Sequence, residues 1–304
     1  MTAKTNIFIT GVTGYIGGTI LLRFLNRPDF DSLHITSLVR SAEKAEKLNN
    51  LGITVSVGSL EDFALLEKLA SEADVVIHTA DADDLEAVGA ILKGLEKRYS
   101  VTGKVTQFIH TSGTGVLADT NPSSGITAET IWDDANPDQI ESLPPTQIHR
   151  KVDLAVIDAD KHGYVRTYII LPSLIYGIAS GKLVELGLQN PNSMQVPLLV
   201  SASLARGQGG VIGEGKNIWP NVHIDDIADL YLALYDSILT NTETGHGREG
   251  IYFGENGEHT LLEVCEEISK VLFDMGRGQK PEPTLFSQEE RVNYFCVRAL
   301  KRAF

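Results

Sequence analysis

Three glycines stand three residues apart, at Gly11, Gly14 and Gly17, between an apolar run and a helical pattern. The run, residues 6–10 (NIFIT), has the length and character of a buried strand. Over residues 17–26, Ile20, Leu21, Phe24 and Leu25 recur on one side of a helix. Strand, glycine turn and helix in this order narrow what the chain can become. The first glycine permits a tight turn, the second lets the backbone approach a pyrophosphate, and the third lets helix and strand pack closely. The helix N-terminus then offers free N–H groups to an anion. A dinucleotide site is expected at Gly11, Thr13, Gly14, Tyr15, Ile16 and Gly17.

The same rhythm continues downstream. Strands are predicted at 34–39, 54–57, 74–78, 107–110 and 166–171, with helices at 61–69, 85–99 and 151–160 and a charged helical run from Ala42. Alternating strands and helices predict an α/β fold with a parallel, doubly wound Rossmann sheet. Between Leu117 and Pro145 the rhythm breaks into a long acidic, proline-containing loop, where Trp132, Asp133 and Asp134 are candidate lid residues. After Pro172 the texture turns glycine-rich and irregular, before helices predicted at 225–239 and 261–273. The expected organisation is a dinucleotide-binding domain over 1–176, completed by roughly 218–240. A smaller C-terminal substrate lobe is expected over most of 177–304.

Composition removes several function classes. With 304 residues, 42% of them hydrophobic, a full core is available. A formal net charge of −14 disfavours nucleic-acid backbones. Cys265 and Cys296 form no CxxC pair, so no disulfide framework or zinc site is expected. His223 with Asp225 and Asp226 reads as a capped helix start rather than a metal site. No apolar stretch is long enough to span a bilayer, and the first strand starts too near Met1 for a signal peptide, so a cytoplasmic setting is expected. There is no HExxH, GxSxG or GxxxxGK[ST] motif, which removes the protease, α/β-hydrolase and P-loop readings.

The end of the second predicted strand bears on cofactor choice. A carboxylate there would bind a ribose 2′-hydroxyl and favour NAD(H). Here the residues are Val39, Arg40 and Ser41, with Lys44 nearby. A guanidinium is suited to a phosphate, so NADP(H) is expected in preference to NAD(H).

Taken together, these segments resemble the short-chain dehydrogenase/reductase superfamily in its extended or atypical branch. GSLED (58–62) is similar to that family's adenine-side segment, VVIHTA (75–80) to the strand passing the nicotinamide ribose, and FIHTSGTGV (108–116) to the strand that delivers a catalytic serine. YIILPSLIYG (168–177) resembles its LRPxxVYG segment, and NVHIDDIADLYLAL (221–234) its HVDDxA helix. The texture is similar to epimerase/dehydratase-like and fungal NmrA-like proteins. The resemblance implies cofactor contacts from Ser59, Leu60, Thr79, Ala80, Thr111, Lys151, Pro172 and Ser173. It also implies a small-molecule carbonyl or alcohol substrate, and it is compatible with helix-paired homodimers. Gln195, Val196, Arg206 and Trp219 are candidate lining residues for that substrate. The ending FCVRALKRAF is short against the family pattern.

The catalytic pattern departs from the family. The family reaction uses a tyrosine as acid and base, a lysine four residues later, and a serine or threonine to orient the carbonyl. Lys151 matches the lysine, but Gln147 stands where the tyrosine belongs and Gly113 where the serine belongs. An amide has no useful proton to exchange. Substitutes are expected among Ser112, Thr111, Thr114, His149 and Tyr176, with His149 suited to proton transfer near neutrality. The alternatives are a non-catalytic NADP sensor and a non-redox isomerase on the same fold.

Overall fold

The computed structural model describes residues 4–118, 130–240 and 243–295. Cys296, the Asn121-Pro122 part of the long loop and the end of the chain after Phe295 lie outside the described residues.

The chain opens with strand β1 (Thr5–Thr10) and helix α1 (Tyr15–Leu25), followed by β2 (Leu33–Val39), α2 (Ala42–Asn49), β3 (Thr54–Val57), α3 (Phe63–Ser71) and β4 (Val75–His78). Next come α4 (Leu85–Thr102), β5 (Thr106–Thr111), α5 (Pro137–Glu141), α6 (Arg150–Lys161), β6 (Val165–Pro172) and β7 (Leu174–Tyr176). The last part holds α7 (Lys182–Glu185), α8 (Gln195–Arg206), β8 (Gly210–Val211), β9 (Ile218–His223), α9 (Ile224–Thr240), β10 (Ile251–Gly254), β11 (Glu258–Thr260), α10 (Leu261–Asp274), β12 (Thr284–Leu285) and α11 (Gln288–Phe295).

The central sheet runs β3-β2-β1-β4-β5-β6-β10, with every pair parallel. This is the doubly wound Rossmann arrangement. Alternation along β1 explains its two layers. Ile7 and Ile9 enter a core with α1 and α9, whereas Phe8 enters the opposite core with α3, α4 and α6. Each fully buried aliphatic or aromatic side chain contributes roughly 1.5–3 kcal/mol.

The strand order reverses between β1 and β4, which opens a crevice at their carboxyl ends. Two small sheets, β11-β9-β7 and β12-β8, lie outside the central one. The seventh strand of the central sheet, β10, comes from within the segment expected to form the lobe. It pairs residue for residue with Ile169–Pro172 of β6.

The expected lid residues are anchored instead. Asp134 accepts a hydrogen bond from the Phe253 backbone N–H at 2.8 Å, and Trp132 packs against the α4/α6 core. This part of the long segment lies against the end of β10.

Candidate active site

The glycine turn sits in the crevice between β1 and β4. Gly11 has φ +78°, in the left-handed region, and its carbonyl accepts the Gly14 N–H at 2.8 Å. A Cβ on Gly11 would come within 2.6 Å of Thr79 Oγ1. A Cβ on Gly17 would overlap both the Gly11 carbonyl oxygen and Thr79 Oγ1. Thr79 seals this contact by donating its hydroxyl to the Thr10 carbonyl at 2.7 Å. Helix α1 begins at Gly14 with no side-chain cap and no acidic residue in its first turn. Its first N–H groups are therefore presented to the crevice, a donor set that fits a pyrophosphate.

Around the turn, Tyr15 donates its hydroxyl to the carbonyls of Tyr176 and Gly177, at 3.0 and 2.8 Å, and its phenol is held protonated by burial. Its role is to tie the turn to β7. The Thr13 carbonyl accepts from the Asn190 N–H at 3.0 Å, and Ile16 packs against the core. At the end of β2, Arg40 is exposed and has no side-chain partner among the described residues. Lys44, by contrast, is committed to the Leu188 carbonyl at 3.1 Å. Ser59 is locked in a turn with Asp62, its N–H donating to the carboxylate at 2.6 Å. Leu60 packs against the core and Ala80 is exposed.

Beneath the crevice lies a buried polar row that the sequence reading did not single out. Thr10, His78 and His110 are register partners on β1, β4 and β5. The Thr10 hydroxyl donates to His78 Nδ1 at 2.8 Å, and His78 Nε2–H donates to the Asp81 carbonyl at 3.0 Å. Burial lowers the His78 pKa to about 4, which keeps the ring neutral and supports this assignment. The His110 ring stacks on His78 at 5.6 Å, and neither of its nitrogens has a partner among the described residues. Burial holds His110 well below the ordinary histidine range. Thr111 follows. Its hydroxyl donates to the His78 carbonyl at 2.8 Å and accepts from Tyr231 at 2.5 Å, so it has no proton to offer a substrate.

The candidate catalytic side chains have different partners. The Ser112 hydroxyl donates to Asp153 of α6 at 3.1 Å. Its proton is therefore directed at a carboxylate, not at a carbonyl as expected. Asp153 is 1% exposed, and burial raises its pKa to about 6, with the Ser112 hydrogen bond opposing. The Thr114 hydroxyl has only a long contact with the Pro172 carbonyl, at 3.4 Å. Ser173 donates its hydroxyl to the Gly254 carbonyl of β10 at 2.9 Å. Tyr176 is 43% exposed on β7, edge-on to His223 at 5.3 Å between ring centroids. Lys151 is exposed at the second position of α6, with no partner among the described residues.

Helix α6 starts at Arg150, so Gln147 lies in the turn before it. Its amide donates to the Ala118 carbonyl at 2.9 Å. The one-turn spacing that pairs tyrosine with lysine in the family is not built here. His149 is the N-cap of α6, with φ +65°, and among the described residues it alone has positive φ without being glycine. Such backbone conformations cost of order 1–3 kcal/mol and persist where surrounding contacts over-determine them. Here those contacts fall on the ring. Nδ1 lies 2.9 Å from Asp83 Oδ1, and the His149 side chain is only 8% exposed. Nε2 lies 3.3 Å from where a Cβ on Gly113 would sit and 3.5 Å from one on Gly115. The imidazole thus fills the space a side chain at Gly113 would need.

Arg206 is engaged at the junction of α8, β12 and α11. Its guanidinium pairs with Glu290 at 2.7 Å and donates to the carbonyls of Gly209, Thr284 and Leu285. Gln195 and Val196 begin α8 half-buried, and half-buried Trp219 lies on β9 opposite His259. His223 Nδ1 accepts the Asp225 N–H at 3.2 Å at the start of α9. Among the described residues no helix is long and apolar enough to cross a membrane.

The NmrA-like family profile matches residues 3–112, which contain the glycine turn, Arg40 and the His78 row. Oxidase ucsJ from Acremonium sp. is 32% identical over 88% of this chain and 78% of its own length. The chain belongs to the NmrA-like short-chain dehydrogenase/reductase family. A further relative, from Stigmatella aurantiaca, is 4-hydroxy-2-methyl-3-oxo-4-farnesyl-3,4-dihydroquinoline-1-oxide ketoreductase, 27% identical over 82% of this chain and 68% of its own length. Among solved structures, UDP-glucose 4-epimerase from Thermotoga maritima shares the fold. It has a TM-score of 0.60 at 18% identity and covers 93% of this chain and 85% of its own.

Proposed function

We propose that this NmrA-like protein is an NADP(H)-dependent oxidoreductase acting on a small carbonyl or alcohol substrate, with His149 doing the proton transfer that a tyrosine does elsewhere in the family. The observation that carries this reading is the placement of the His149 ring, with Nδ1 on Asp83 and Nε2 in the space above Gly113. In the reductive direction the imidazolium, its Nδ1–H on Asp83, gives its Nε2 proton to the carbonyl oxygen as the carbonyl carbon gains a hydride, which leaves the neutral Nδ1–H ring. In the oxidative direction Nε2 takes the hydroxyl proton. A nicotinamide dinucleotide bound in the crevice supplies or accepts that hydride.

Residues around the crevice divide the remaining work. The α1 N-terminus holds the pyrophosphate, and Lys151 is left unpaired to bind the ribose. Arg40 is the free cation at the end of β2, since Lys44 is spent on Leu188, and a guanidinium there binds a 2′-phosphate. The relatives bearing the names oxidase and ketoreductase support redox chemistry over epimerisation.

The test is titration with NADPH and NADH, followed by a carbonyl panel with NADPH oxidation as readout. NADPH is expected to bind more tightly, with Arg40→Ala removing the preference. His149→Ala is expected to lower kcat by about 10²–10⁴-fold with NADPH affinity unchanged. Equal turnover in His149→Ala would refute the histidine. Tight NADPH binding with no turnover across the panel would favour the cofactor-sensor reading instead.

A further inference from the structure

We infer that Asp83 is the positioning residue of His149, fixing which nitrogen of the ring faces the substrate. The inference rests on the proposed role of His149 and extends it to a residue of the turn between β4 and α4.

Three observations carry it. First, Asp83 meets His149 at Nδ1 and not at Nε2, at 2.9 Å. A carboxylate can only accept, so Nδ1 carries a proton and, in the neutral ring, Nε2 presents its lone pair. Second, Asp83 is itself held. Its backbone N–H donates to Asp81 Oδ1 at 2.9 Å, and its carbonyl accepts the Leu85 N–H at 3.0 Å, just ahead of the Asp84 N-cap of α4. The carboxylate therefore approaches from a rigid turn. Its pKa lies below the usual range because His149 hydrogen-bonds to it, so the charged form is the one that holds the ring. Third, His149 takes up a strained left-handed backbone conformation. That conformation turns the ring toward Asp83, 66 residues away in sequence, and toward the slot left open by Gly113 and Gly115.

A tether between two surface turns would not need this arrangement. Asp83 is 46% exposed, and an ordinary surface ion pair adds little to stability. What the pair does supply is orientation. An imidazole free to flip would present Nε2 to the substrate in only part of the population, and proton transfer would be lost in the rest.

Two measurements test this. In the cofactor-free protein, two-bond ¹H–¹⁵N spectra of the His149 ring report which nitrogen carries the proton. The expected result is Nδ1–H in the wild type, giving way in Asp83→Ala to the Nε2–H form or a mixture. In turnover assays, Asp83→Ala is expected to lower kcat by about 10²-fold or more, with KM and NADPH affinity little changed and partial rescue in Asp83→Glu. Loss of turnover in His149→Ala with full turnover in Asp83→Ala would overturn the inference and leave the role of His149 standing. An unchanged tautomer in Asp83→Ala would also overturn it. Full turnover in His149→Ala would instead overturn the reading on which the inference rests.

Discussion

Replacing Asp153 with asparagine is expected to stabilise the protein at neutral pH, and only there. The Asp153 carboxyl lies 1% exposed between α6 and β5, accepts one hydrogen bond from Ser112, and leaves its Oδ1 without a partner among the described residues. Burial raises its pKa from 3.8 to about 6. In the unfolded chain the group ionises near pH 4; in the folded protein it holds its proton until about pH 6. Below pH 4 both states are protonated and the residue contributes nothing. Between pH 4 and 6 the unfolded state sheds its proton first, so stability falls as pH rises. Above pH 6 the full penalty applies, about 3 kcal/mol at 1.36 kcal/mol per pH unit.

Asparagine keeps the acceptor for Ser112 and cannot ionise. Asp153→Asn should therefore match the wild type near pH 4 and exceed it above pH 6, by up to about 3 kcal/mol or roughly 6 °C in Tm. Thermal unfolding of both proteins at half-unit steps from pH 4 to 8 measures the difference. A gap that does not vary with pH, or a less stable variant at pH 7.5, would refute the assignment of a costly buried carboxylate.

His110→Phe should show the opposite pH dependence. The buried neutral ring resists the proton that the unfolded chain takes up below about pH 6.5, so removing it should widen the stability gap in acid, read from urea unfolding at pH 5 and 7. Gly17→Ala places a methyl group against the Gly11 carbonyl and Thr79, and should weaken NADPH and NADH equally, by about tenfold or more in a binding titration. An unequal effect would mean the turn reads the 2′ position. Arg206→Met should cost about 2 kcal/mol in chemical denaturation with cofactor affinity unchanged, because it unties β12 and α11 from the end of α8. A raised substrate KM at unchanged stability would return Arg206 to the substrate pocket.

Much of the Rossmann frame was legible because its signals are local. Residues 54–57 were expected as a strand and form one, and the 85–99 pattern runs on to Thr102 before Gly103 ends it with a left-handed cap. β10 was not legible. IYFG is a short apolar run whose place as the seventh strand is set by its pairing with Ile169–Pro172, far away in sequence. Arg206 and Asp134 misled for the same reason. Both are charged residues in stretches that read as irregular along the chain, and their partners lie on distant elements: Glu290 and two carbonyls of β12 for Arg206, the Phe253 N–H for Asp134.

The sequence by itself determined the glycine turn, the arginine after the second strand, and the Gln147 and Gly113 that stand where the resemblance implies a tyrosine and a serine, because each depends on residue identity at a local spacing. Read along the chain, His149 was one of several candidates, two residues from Lys151 and off its helical face. The predicted helix at 151–160 already left it outside the helix; only the tertiary structure decided its left-handed backbone conformation and the partner of its ring. The physical reason is that side-chain direction here is set by two non-local contacts. Asp83 draws Nδ1 from one side, and the missing side chain of Gly113 leaves room on the other.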